Sequence, residues 1–384
     1  MAGETMSSEE RVWAAIKLEK PDRVPIDILA IGAYTKTTGG TVGDFYSSED
    51  KAWAAIDKMW DYTGGWDMDL ASIPASPMAS KLVFSMFMGI KMALPGVDLP
   101  DDYNLQAIEE EILKPEDYDT IAEIGWQRFM SEDYLFRLMD ITPDGLTKAL
   151  EEQVSGTTKA LDVWGRRGVF TIYPAMTCPM HPFFRFSLGR SMLKFTEDLY
   201  YSPERVERAL KRVTRESIEL WINASKASNL KLAFFAEERA GGFFFPPAIF
   251  ERYWWPYTME IVDALWSEGI VSWFHLDQCW DKNIPYFKQL PRGSAVLALD
   301  GTTDIFAAKE MLRGHLCLHG DVHPTLLSIG KPQDVEAYCK RLIDDVGPDG
   351  GFILSSGCEM PTAVTMENWR AMVQTGRNYE FSKK

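Results

Sequence analysis

The chain has 384 residues, 46% hydrophobic and 25% charged, a balance that excludes a disordered or fibrous protein. With 40 lysines and arginines against 56 aspartates and glutamates its formal charge is −16, a field that repels phosphate backbones and anionic lipid and excludes nucleic-acid or membrane-surface work. The most apolar stretch, residues 82–94, is interrupted by Lys91, and no basic segment leads into an apolar one at the N-terminus, so a cytoplasmic protein is expected.

The first predicted element is a helix over 8–18, with Ser7 or Ser8 as its cap, Glu9 and Glu10 in its first turn and Pro21 ending the register. Two short strands follow, 23–29 and 66–73. The segment 74–164 is too long for one strand-to-helix connection and reads as a helical insertion, of the kind that forms a lid over the active end of a barrel. Beyond it the chain alternates regularly. Short runs rich in apolar, β-branched or aromatic residues mark strands at 168–173, 230–235, 270–276, 295–299, 315–319 and 351–354. Apolar spacing of i, i+3, i+4 marks helices at 203–227, 247–268, 304–312, 332–345 and 366–374. Eight strands alternating with helices predict an α/β chain folded as one (β/α)8 TIM barrel over 1–384, with the helical insertion after the second strand. An open doubly wound sheet is the alternative, weakened because no G-x-G-x-x-G follows the first strand.

In such a barrel the C-terminal ends of the strands converge on the active face. The fifth strand ends in His275-Leu276-Asp277-Gln278-Cys279. If this segment stays extended, residues 275, 277 and 279 share one face by the period-2 rule. The eighth ends in Ser355-Ser356-Gly357-Cys358-Glu359, where Gly357 allows a tight turn, and the sixth in Asp300-Gly301. Histidine with two thiolates is a good zinc set, and ligands far apart in sequence suit separate strands of a barrel better than a zinc finger. His275, Cys279 and Cys358 are therefore the candidate metal ligands, against the alternative that each packs as core. Five cysteines make an odd number and disulfides improbable. Cys317 is a reserve ligand on the same side as His315 and His319, His319 is a candidate partner or substitute ligand, Cys339 reads as buried packing, and Cys178 lies in a proline-bounded loop where a structural role is favoured. Glu237 and Glu238 end the fourth strand. Glu238 and Asp277 are the candidate catalytic carboxylates, with a plain ion pair to Arg239 the competing role for Glu238. Aromatic clusters at 183–186, 243–245 and 254–255 suggest a pocket for a flat apolar substrate. No G-x-S-x-G, P-loop or C-x-x-C occurs.

Four segments carry a family resemblance: SSEERVWAAIKLEKPDRVPID at the start, HPFFRFSLGRSMLKFTEDLYYSPERVERAL, LCLHGDVHPTLLSIGKPQDVEAYCKRLI, and the closing LSSGCEMPTAVTMENWRAMVQTGRNY. In these the chain resembles the uroporphyrinogen decarboxylase superfamily, specifically its corrinoid-linked, zinc-dependent methyltransferase branch. That branch holds zinc through a His-x-Cys pair and a distant cysteine in a closing G-C motif. Cys358 matches the last and His275 the histidine. Two residues on stands Asp277, and the cysteine arrives only at Cys279, so either of these is the second ligand. The decarboxylases themselves carry an arginine-rich loop near the N-terminus. The matching ILAIGAYTKTTGG has no arginine, which disfavours decarboxylation.

The resemblance implies Zn2+ as cofactor and a corrinoid (cobalamin) carried by a separate partner protein. The implied reaction is O-demethylation, moving a methyl group from a methoxylated aromatic to the Co(I) corrinoid. A methylcobamide:thiol transfer is the alternative, and a metal-free binding barrel the rival from another class. Tyr34, Phe183, Phe184 and Arg185 are the expected substrate contacts, and the partner is expected to dock on an exposed rim over 183–190.

Overall fold

The structure, a computed structural model, describes residues 4–70, 72–177 and 180–380. Eight short strands lie parallel: β1 (Asp27–Ile28), β2 (Met68–Asp69), β3 (Phe170–Thr171), β4 (Leu232–Glu237), β5 (Val271–Leu276), β6 (Ala295–Leu299), β7 (Cys317–Asp321) and β8 (Phe352–Ser355). One ladder joins β1, β2 and β3, and a second runs from β4 through β8. A parallel bridge between Ile26 and Leu354 connects them, so the strands follow one another around the ring in chain order. No ladder between β3 and β4 is formed among the described residues. There the Ala236 amide donates instead to the Met180 sulfur at 3.1 Å. This is the expected TIM-barrel architecture, with helices outside the strands.

Side-chain alternation sorts each strand into two layers. On β5, Val271 and Trp273 belong to the inner apolar cluster and Phe274 and Leu276 to the outer one beneath the helices. His275 continues the inner set and faces the barrel interior by the same period. The first helix, Ser8–Ile16, is capped by Ser7 in a capping box with Glu10. The helix predicted over 247–268 is two helices, Pro247–Tyr253 and Trp255–Ser267. Pro256 explains the break, since it lacks an N–H and its ring crowds the carbonyl four residues earlier.

The insertion is more mixed than predicted. It contains the helices Pro77–Met88 and Pro143–Arg166 but also an antiparallel hairpin, Lys91–Ala93 with Gln106–Ile108. Its helix Asp117–Ile124 packs along the outer helix Pro203–Ser228. Phe87, on the first of its helices, stacks on Phe234 of β4 at 6.2 Å and so reaches the barrel itself.

The lower end of β1 and β2 is tied by buried charge. Asp67 accepts from Arg11 Nη1 and Arg23 Nη1, both at 2.6 Å, and from the Ile26 amide at 3.0 Å. All three side chains are nearly inaccessible. Asp67→Ala leaves the two buried guanidinium groups only their outer partners, Asp22 for Arg11 and Glu4 for Arg23, and is expected to cost roughly 3 kcal/mol of unfolding free energy, the low end for breaking a buried pair, in a denaturant titration.

Candidate metal centre

The C-terminal ends of β4 to β8 open on one face, and the chemistry-bearing residues gather there. His275, Asp277 and Cys358 each offer one ligand atom, and the three atoms lie within 4.8 Å of one another. His275 Nε2 is 3.4 Å from Asp277 Oδ1. His275 is buried, while Asp277 and Cys358 are half-buried and open toward the mouth.

Local backbone decides which residues take part. The strand keeps its ladder through the Asp277 amide, which donates to the Glu237 carbonyl at 3.0 Å. At Gln278 the chain turns into the left-handed region, φ 69°. That turn is pinned from below: Asp300 Oδ2 accepts from the Gln278 amide at 2.8 Å, and Thr303 Oγ1 from the Trp280 amide at 2.9 Å. The extended continuation that sets 275, 277 and 279 on one face is therefore cut after 277. Cys279 leaves the cluster, and its thiol lies 3.3 Å from Asp281 Oδ2. On the other side, Gly357 has φ 43°, and a Cβ there meets the Asp300 backbone at 2.8 Å, so only glycine lets the loop after β8 pass close enough to present Cys358.

The electrostatics are those of a site short of a positive charge. Burial opposes charge on His275, but the Asp277 carboxylate and the Cys358 thiol beside it outweigh burial and push its pKa well up. Burial raises Asp277 and the imidazole more than offsets it, holding the carboxyl below the usual range. Burial, with the Asp277 charge, pushes the Cys358 thiol up. A divalent cation held by an imidazole nitrogen, a carboxylate oxygen and a sulfur would supply what the three groups lack, and this mixed N, O, S set suits a borderline-soft ion such as zinc.

Other predicted site residues are placed elsewhere. Glu238 is held by Arg239 Nε at 3.0 Å, and Arg239 in turn by Glu109 beyond the insertion hairpin, so the ion pair is the arrangement found. The neighbouring Glu237 is the buried carboxyl. Burial pushes it up to about 8, against the pull of the Trp254 indole and the Arg239 and Ala240 amides that donate to it. Tyr34 is fully buried, its hydroxyl 3.4 Å from Asp69 Oδ2 in a network with Ser72. Phe183 packs edge-on against Phe195 and Phe245 in the outer core. Phe184 belongs to the inner apolar cluster, and Arg185 lies over the Trp126 ring at 4.6 Å. Every residue of the helix Pro182–Arg190 is buried, so the exposed rim expected there is not formed. Exposed aromatics occur instead at Phe243 and Phe244, which line a cavity of about 310 Å³ with Lys282 and Tyr286. Cys317 and Cys339 are buried, with burial pushing the Cys317 thiol up to about 12, and Cys178 lies outside the described residues.

Two features escaped the sequence reading. Asp27 on β1 and Asp69 on β2 are fully buried carboxyl groups; the first meets His319 and the second takes a 2.7 Å hydrogen bond from the Tyr173 hydroxyl. Their signal was an acidic residue inside each of the expected strands 23–29 and 66–73. Phe87, Phe234 and His275 form an aromatic series, with Phe234 to His275 at 6.0 Å and Phe87 half-buried. Phe87 carried no signal, because it comes from the insertion.

Residues 176–379 match the family described as Uroporphyrinogen decarboxylase (URO-D). No curated protein sequence matches the chain. Among solved structures it is similar to a methyltransferase from Methanosarcina mazei, with 15% identity and a TM-score of 0.69 over 97% of this chain and 99% of that one, a likeness of fold. With more than half of its length matched, the closing glycine–cysteine turn included, the chain belongs to the uroporphyrinogen decarboxylase family.

Proposed function

We propose that the protein is a zinc-dependent methyltransferase that moves a methyl group from a methoxylated aromatic compound to the Co(I) corrinoid of a separate corrinoid protein. The observation that carries the reading is the convergence of His275, Asp277 and Cys358 at the mouth of the barrel. These residues would hold the ion. Bound there, zinc supplies Lewis acidity toward a substrate oxygen, easing departure of the methyl group.

The chain's own residues supply the rest. A carboxylate replaces the second thiolate of the thiol-type pattern, so the set donates less electron density and favours an oxygen donor over a sulfur one. Phe87, half-buried and stacked on the buried Phe234 that neighbours His275, offers a flat apolar ring a face to lie on. Burial of His275 keeps water from one side of the cluster, while half-exposure of Asp277 and Cys358 keeps the other open to substrate and partner. The structural similarity to a methyltransferase is consistent with this reading.

The test is a methyl-transfer screen of zinc-loaded protein with Co(I) cobalamin and a panel of methoxylated aromatics, read by the cobalt absorbance. Formation of methylated cobalamin from an aryl methyl ether is expected. Failure with every ether, alongside ready methylation of a thiol by methylcobalamin, overturns the O-demethylase assignment in favour of the thiol acceptor.

A further inference from the structure

Inside the barrel, next to the ligand cluster, several polar atoms lack the partners that burial demands. Asp27 of β1 is fully buried. Its Oδ2 is 2.8 Å from His319 Nε2 and 3.4 Å from the Ser355 hydroxyl, whereas Oδ1 has no partner among the described residues. His275 shows the matching defect: Nε2 is turned to Asp277, and Nδ1 is buried and unpartnered. In chain order around the ring β1 and β5 stand opposite one another, so the two orphaned atoms belong to side chains that enter the barrel from facing walls.

Several observations tie these groups together. Burial pushes the Asp27 carboxyl well up, and the Ser355 hydroxyl and the His275 charge pull it part of the way back. The His319 ring stands edge-to-face on Trp273 at 5.0 Å, two residues before His275 on the same strand. Leaving a carboxylate oxygen and an imidazole nitrogen both buried and unbonded is costly, and an acceptor facing a donor resolves both. A histidine that ligates a metal through one nitrogen commonly gives its other N–H to a carboxylate, which fixes the tautomer and raises the basicity of the ligand.

We propose that Asp27 is a positioning residue for His275. With Oδ2 held by His319 and Ser355, its free Oδ1 receives the Nδ1 hydrogen of His275 through one bridging water, and so commits Nε2 to the metal. This rests on the reading of His275 as a ligand. His319 acts one step further back, by fixing the rotamer of Asp27.

The test compares Asp27→Asn, His319→Gln and Cys358→Ser with the wild-type chain, by zinc affinity in competition with a chromogenic chelator and by the visible spectrum of the Co2+-loaded protein. Circular dichroism reports on folding. Asp27→Asn is expected to weaken zinc about 10–100-fold and to shift the Co2+ bands while the fold persists. His319→Gln is expected to move both readouts the same way by less, and decides the matter if Asp27→Asn does not fold. Wild-type affinity and an unshifted spectrum in the folded variant, while Cys358→Ser loses the ion, overturn the role of Asp27 and leave the metal site standing. If wild type and Cys358→Ser bind zinc equally poorly, the metal reading fails, and the role of Asp27 with it.

Discussion

Cys358→Ala is expected to abolish stoichiometric zinc binding and methyl transfer together, with little loss of fold. Cys358 is the softest donor in the cluster and its only sulfur. Removing a group that merely orients a ligand costs roughly 10–100-fold in affinity or activity, so removing the ligand itself is expected to exceed 100-fold. The fold tolerates the change because Cys358 is half-buried in a loop whose path is set by Gly357 and by the Ser356 hydroxyl, which donates to the Cys358 carbonyl at 2.9 Å. Metal content after dialysis and the rate of cobalt methylation are the measurements. A variant that keeps one zinc per chain removes Cys358 from the site.

The second large effect separates two residues that the sequence left equivalent. Asp277→Ala is expected to lose zinc and activity by more than ~100-fold. Cys279→Ala is expected to keep both within about twofold, the range of a substitution away from any site. The asymmetry follows from Gln278: its left-handed backbone turns the chain after 277, and Asp300 and Thr303 lock the turn, leaving the Cys279 thiol beside Asp281. If Cys279→Ala loses the metal and Asp277→Ala retains it, the loop rearranges on loading, and the donor set becomes the two-thiolate one that favours a sulfur substrate.

The deep placement of the helix Pro182–Arg190 also moves the exposed aromatic surface away from the rim expected over 183–190. Phe183 to Arg190 are all buried, divided between the inner and outer clusters, whereas Phe243 and Phe244 stand exposed on the loop after β4. The aromatic richness of the chain goes largely into packing: Trp254, for instance, sits among Phe250, Trp255, Phe274, Trp280 and Phe287.

Much of this molecule was legible in its amino-acid order. Strand-to-helix alternation from residue 168 onward placed all six later strands within about two residues, because a buried parallel strand needs a short, nearly continuous apolar run and its crossover helix needs a 3.6-residue period. His275 and Cys358 stood out for the same reason: each closes such a run, and strand ends meet at one face of a barrel. What the order of residues left open lies where backbone geometry departs from its period. Whether 279 follows 277 onto the same face depends on one left-handed residue and the hydrogen bonds that hold it. Whether Glu238 is free depends on an arginine that is itself held by Glu109, more than a hundred residues away in the chain. The partnering of Asp27 with His319 spans 292 positions and exists only because β1 and β7 enter the same interior. Periodicity is a local property and was readable; contacts between facing walls are set by closure of the ring, and only the folded chain decides them.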